Sequence, residues 1–197
     1  MDKFNPKRPR VLAIDCEAIS LHGPIFAVGA VLTGEDWRKP LASLGLRCPP
    51  PCDPSAWTKE NVVPAIAHLP ECENPRDMRD EFWTFFQKHR EGAIIVADVP
   101  WPVETEFLSR VIHDEGTPRY NEGRAKIAPY PLYDLSSILC ALGIDPDIDR
   151  ERFLDDDFFT LGLGAKHNPV YDAATTAVVT LRIMLDRPKW NPFTTEK

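Results

Sequence analysis

Apolar residues in this chain fall into two rhythms, and the change between them divides the sequence. Val11 to Cys16 and Pro24 to Leu32 are largely apolar runs that read as the first two strands, separated by a turn containing Gly23. Leu41 to Arg47 predicts a third strand, so the first part reads as a three-stranded meander. Pro49 to Pro54 breaks regular structure, and Ser55 to Pro75 predicts a short helix amid loop. From Arg76 to Arg90 the period becomes helical: Met78, Phe82, Phe85, Phe86 and His89 recur on one face, and Gly92 supplies a stop. Ala93 to Asp98 predicts a buried strand. A helix follows Pro102, with Val103, Phe107, Leu108 and Val111 inward and Glu106 outward.

The remainder is less periodic. Residues 114–129 read as a polar loop, and Tyr130 to Asp134 as a short strand. Asp134 caps a helix to about Leu142. Ile144 to Gly164 is irregular and acidic, and a last helix runs from Pro169 to about Leu185. A meander followed by alternating helix and strand predicts an α/β fold: a mixed five-stranded sheet with helices on both faces and the first strand central. The expected organisation is one domain over residues 1–197, with a core at about 10–186 and short polar tails.

Charge and cysteine usage narrow the function classes. A net charge of −7 argues against a broad basic face for duplex binding. No apolar run approaches the ~18 residues of a membrane span, and Met1 to Arg10 is polar, so the expectation is a cytoplasmic protein with no membrane partner. Five cysteines read as reduced thiols; the competing zinc set is Cys48, Cys52, Cys72 and His68.

Three acidic elements carry the candidate chemistry. Asp15 and Glu17 end the first strand one residue apart, so both project from one face. Two adjacent carboxylates call for a shared proton or a cation, and oxygen ligands suit Mg²⁺ or Mn²⁺. A surface pair at a strand end is the plain alternative. At the last helix, Asn168 fits the cap and Pro169 the first turn, which brings His167 and Asp172 to one helix mouth. There they suit metal coordination and proton transfer, or else a loop histidine and a dipole-compensating acid. Between these elements, Asp98 ends a strand and Glu104 opens a helix, and either reaches toward the first strand. Trp101 reads equally as a base-stacking platform and as a core aromatic. Gly162 and Gly164 suggest a flexible loop carrying His167.

Taken in order, Asp15-x-Glu17, then Glu104-x-x-Phe107-Leu108, then His167-x-x-x-x-Asp172-Ala173 resembles the three motifs of the DEDDh 3′-to-5′ exonucleases, a ribonuclease-H-like family. The likeness runs from Val11 to Leu185. The second motif departs from the family pattern, with Glu104 in place of Asp and Val99-Pro100 in place of a polar turn. The resemblance implies hydrolysis at the 3′ end of single-stranded RNA or DNA, releasing nucleoside monophosphates, with two divalent ions (Mg²⁺ or Mn²⁺) as cofactors. It implies metal roles for Asp15, Glu17, Asp172 and Glu104 (alternatively Asp98), and a base role for His167. Ala18, Ile19 and Leu21 would meet the terminal nucleotide, with Trp101 as a further contact. Lys166, Arg119, Arg124 and Lys126 are the nearby cations for phosphate, or ordinary exposed loop charges. A homodimer through residues 49–75 is a further expectation. A silent nuclease-like domain that binds nucleic acid or a protein partner, and a small-nucleotide phosphohydrolase, are the competing functions.

Overall fold

The computed structural model describes residues 9–50, 52–116 and 122–185. Its centre is a five-stranded sheet in the order β3-β2-β1-β4-β5: β1 Arg10–Ala18, β2 Ile25–Thr33, β3 Ala42–Arg47, β4 Ala93–Ala97 and β5 Tyr133–Asp134. The first three strands are antiparallel neighbours, and β4 and β5 add in parallel beyond β1. The meander, the mixed sheet and the central first strand are therefore as the sequence predicts. The fifth strand is shorter than expected, because only Tyr133 and Asp134 pair with β4.

Helices cover both faces. On one side α3 (Pro75–His89) and α4 (Val103–His113) pack with Leu12, Ile14 and Cys16 of β1. On the other, α6 (Leu135–Ala141) and α8 (Pro169–Leu185) pack with Val11 and Ala13. Strand alternation then puts Asp15 and Glu17 on the α8 side. All nine residues of β2 are buried, as befits a strand covered on both faces.

The smaller elements differ from expectation in detail. Residues 55–75 form two short helices, α1 (Ala56–Asn61) and α2 (Val63–Ile66), rather than one. The expected loop contains α5 (Gly123–Ile127), and the acidic stretch contains a 3-10 turn (Arg150–Phe153) and α7 (Asp156–Phe159). The fully buried residues of α3 are Met78, Phe82, Trp83 and Phe86; Phe85 packs against the same core half-buried, His89 is half-buried, and Trp83 is the addition the helical period did not give. The helix meets α4 where Phe82 contacts Phe107 edge-on at 4.9 Å. Asn74 caps α3 by accepting from the Arg76 and Asp77 amides. Asp134 holds the cap position of α6, but its carboxylate accepts from the Ser137 hydroxyl instead of a backbone amide. The five cysteines are free thiols. No helix among the described residues is long and apolar enough to cross a membrane.

One contact sets how α8 lies on the sheet. Gly29 sits opposite Asp15 in the β1–β2 register and opposite Gly45 in the β2–β3 register. A Cβ at Gly29 would stand 2.1 Å from the backbone carbon and oxygen of Pro169, at the start of α8. A Cβ at Gly45 would meet the side chains of Val170 at 2.5 Å and Leu69 at 2.9 Å. The two glycines form a trough that receives the first turn of α8.

Gly29→Ala is expected to cost about 1–3 kcal/mol or more in urea unfolding, because backbone has to move. Gly45→Ala, which meets side chains only, is expected to cost less. Equal costs would contradict this account of the trough.

Candidate active site

The polar centre forms where β1 outruns its neighbour. β4 pairs with β1 only through Ala13, so among the described residues the far edge of β1 beyond that point has no strand partner. The Cys16 amide on this edge donates to the Glu104 carboxylate at 3.0 Å. Glu104 is 5% exposed, and this bond ties the first turn of α4 to the strand between Asp15 and Glu17. Asp98 takes another course. Arg150 of the 3-10 turn donates to it at 2.8 Å, and both side chains are largely buried. Of the two acids competing for the middle position, Glu104 meets β1 directly and Asp98 is engaged by a cation.

The mouth of α8 supplies the opposite wall. Asn168 is 1% exposed and accepts from the Val170 amide at 3.0 Å. Its amide group donates to the Leu163 carbonyl at 3.1 Å, which pins the preceding loop. The Asp172 carboxylate reaches back to the His167 amide at 2.8 Å. His167 itself has φ +67°, a left-handed conformation uncommon for a residue with a side chain. Lys166 pairs with Asp149 at 3.0 Å and with Glu151 at 3.5 Å. The glycine loop expected to be flexible thus has fixed points on both sides of His167.

Across this gap, donor atoms of Glu17, His167 and Asp172 lie within 4.8 Å of one another. Asp15 joins Asp172, His167, Asp98, Arg150 and Lys166 around a cleft of about 280 Å³. Burial and mutual repulsion hold these acids toward their neutral forms. Burial raises Asp15 most, followed by the charges of Asp172, Glu104, Glu17 and Asp98. Glu17 is pushed up to about 8 by burial, then by Asp172 and Glu104. Burial also lifts Glu104 to about 8, against the hydrogen bonds from its own amide and from Cys16. Asp172 rises to about 7 through burial, opposed by the His167 amide and Lys166. Buried carboxylates that repel one another, with a histidine among them, are a donor set that fits a hard divalent cation.

The remaining predicted residues divide. Ala18 ends β1 and Ile19 follows it, and the Ile19 carbonyl accepts from the Thr58 hydroxyl at 3.5 Å. Leu21 and Trp101 are 70% and 72% exposed and line a groove of about 580 Å³ with Pro24, Arg79 and Arg110. The core-aromatic alternative for Trp101 is therefore wrong: it stands in solvent at the turn before α4. Lys166 borders the acidic cleft, but two carboxylates already hold its ammonium. Arg124 is engaged elsewhere, by Asp80, Glu115 and the face of Trp83. Arg119 lies outside the described residues. Two site neighbours had no sequence signal. Trp57, in a segment considered only as an interface, packs edge-on against His167 at 5.0 Å. Arg150, a cation in an acidic stretch, neutralises Asp98. Gly29 did carry a usable signal, since an isolated glycine in a strand often marks close backbone approach.

No family profile matches the sequence, and no curated protein matches it. Solved structures do match the fold. The nuclease domain of 3′hExo, a DEDDh family member bound to rAMP, aligns at a TM-score of 0.58 over 90% of this chain and 92% of that one, at 12% identity. Escherichia coli exonuclease I in complex with a dA16 oligonucleotide aligns at 0.60 over 94% of this chain, also at 12% identity. The zinc-ion-bound form of the exonuclease I–ssDNA complex aligns at 0.56 over 92% of this chain, at 13% identity. The chain spans 42% of the length of exonuclease I. The chain has the ribonuclease-H-like fold of DEDDh exonuclease domains.

The raised carboxylates make stability depend on pH in a definite direction. The folded chain keeps protons that the unfolded chain releases above its ordinary carboxylate range. Stability is thus fully present below about pH 4 for these groups and is lost as pH rises toward 8. In chelator, the melting temperature is expected to fall between pH 5 and 8. Mn²⁺ is expected to restore more stability at pH 8 than at pH 6, because ions compete with fewer protons. A flat profile with no response to Mn²⁺ would contradict the cation site.

Proposed function

We propose that this chain is a metal-dependent 3′-to-5′ exonuclease that hydrolyses the terminal phosphodiester of single-stranded nucleic acid and releases nucleoside 5′-monophosphates. The observation that carries this reading is the convergence of Asp15 and Glu17 from β1, Glu104 tied to the Cys16 amide, and His167 with Asp172 at the mouth of α8. The fold neighbours include a domain bound to rAMP and an enzyme bound to a single-stranded oligonucleotide, which supports the substrate class.

Asp15, Glu17 and Asp172 would hold divalent ions, with Glu104 at the third side. When bound, Mg²⁺ or Mn²⁺ would supply Lewis-acid polarisation of the phosphate and a water of lowered pKa. His167 accepts the proton of the attacking water, whose oxygen bonds to phosphorus as the bond to the 3′ oxygen of the preceding nucleotide breaks. The shortened strand leaves with a 3′-hydroxyl. Leu21 and Trp101 offer exposed apolar surface, on the groove they line with Arg79 and Arg110, for unpaired terminal bases. The net charge of −7 fits an enzyme that grips a strand end locally rather than one that coats a duplex. The Arg150–Asp98 ion pair and the Cys16–Glu104 hydrogen bond support Glu104 for the middle role, with Asp98, which also borders the cleft, as the alternative.

The decisive assay is degradation of 5′-labelled single-stranded RNA and DNA in Mn²⁺, with free nucleotides as the competing substrate. A ladder shortening from the 3′ end is expected. Turnover of nucleotides alone would establish the small-molecule phosphohydrolase instead, and no turnover would leave the binding domain. Asp15→Asn is expected to reduce cleavage to background while the chain stays folded, and His167→Ala to lower kcat about 10²- to 10⁴-fold. Glu104→Gln is expected to cost far more activity than Asp98→Asn. The reverse order would move the middle role to Asp98.

A further inference from the structure

The His167 backbone is held by Asp172, and its ring lies among Glu17, Asp172 and Trp57. The amide is bonded to Asp172, and the residue sits at φ +67° directly after the loop containing Gly162 and Gly164. A proton-accepting side chain normally needs a third group to set its orientation. One oxygen of the Asp172 carboxylate accepts from the His167 amide, and the acids near the ring belong to the proposed ion-binding set. The His167 ring also meets the indole of Trp57, with centroids 5.0 Å apart and planes at 80°.

Trp57 is presented from a firm base although it is 56% exposed. Ser55 caps α1 by accepting from the Thr58 amide at 3.1 Å. Thr58 is 2% exposed, and its hydroxyl reaches the Ile19 carbonyl just beyond β1. Asn61 closes the turn on the Trp57 carbonyl at 2.8 Å, and Lys59 pairs with Asp53 at 2.7 Å. Val62 and Ile66, the next apolar positions, lie in the core. The helix that bears Trp57 is thus referenced to the same strand end that carries Asp15 and Glu17.

We propose that Trp57 is a positioning residue: its indole holds the His167 ring edge-on in the orientation that faces the carboxylate cluster. The assignment deepens the exonuclease reading and rests on it for its kinetic consequence. An edge-to-face pair restricts a ring without consuming its nitrogens, which leaves both free for proton transfer. Loss of the indole lets the imidazole sample other rotamers, which lowers kcat and spares substrate affinity.

A double-mutant cycle in the full chain tests this. Trp57→Ala is expected to lower single-turnover cleavage about 3- to 10-fold with KM unchanged, the scale of one aromatic pair. Trp57→Phe is expected to retain most of the rate. In a His167→Ala background, Trp57→Ala is expected to add nothing. An equal loss in both backgrounds, or a rise in KM alone, would show that Trp57 acts on the substrate and would overturn the proposal. Nuclear magnetic resonance of the histidine rings gives a readout independent of activity. The His167 signal, identified by its absence in His167→Gln, is expected to shift in Trp57→Ala and to be largely kept in Trp57→Phe. An unmoved signal in Trp57→Ala would overturn the proposal whether or not the chain cleaves nucleic acid. A shifted signal without cleavage would uphold the ring contact and remove the exonuclease reading.

Discussion

The close approach of α8 to the sheet at Gly29 is the constraint on which the polar centre depends. Backbone rests against backbone there, with 2.1 Å between Pro169 and the place where any other residue would put its Cβ. Gly29 is the β2 partner of Asp15, so the point of closest approach lies beside the strand-end acids. The helix mouth and the strand end are thereby fixed in one frame. His167 and Asp172 face Asp15 and Glu17 because the first turn of α8 has a single seat. Gly45 widens that seat from the next strand, and Asn168 ties the incoming loop to it.

What this frame brings together is electrostatically unfavourable by itself. Burial and mutual repulsion raise four carboxylates, so the fold holds a site that protons or cations must neutralise. The chain limits the strain in two ways. Arg150 engages Asp98, and the amides of Cys16 and His167 partly compensate Glu104 and Asp172. Each of those amides is free for this role for a local reason: β4 stops short of Cys16, and His167 lies ahead of the first helical turn. Unpaired backbone groups at element ends are thus what the acids bind, and a polar cluster so anchored keeps its geometry before any cation arrives.

Local physics was legible wherever a pattern repeats or a side chain caps its own element. The continuous apolar runs predicted β1 and β2, and the Asn168-Pro169 start predicted α8 with His167 and Asp172 at its mouth. The misses share another cause. β5 shrank to two residues because its pairing is set by β4 rather than by its own apolar content. Trp83 joined the buried face of α3, with Phe85 half-buried beside it, because the elements packed around α3 bury a wider face than its helical period marks. Trp57 and Arg150 were passed over because nothing near them in sequence marks the partners they meet in space.

By itself, then, the sequence determined the elements, the central place of β1, and which acids share one face. These follow from side-chain period and end-capping, which act over a few residues. The tertiary structure alone decided that Glu104 rather than Asp98 meets β1, that Trp101 stands in solvent, and that Trp57 lies against His167. Those outcomes depend on where one element ends relative to another. The vacancy left by β4 beyond Ala13, the charge of Arg150 and the missing side chain at Gly29 exert their effects only once the sheet is assembled.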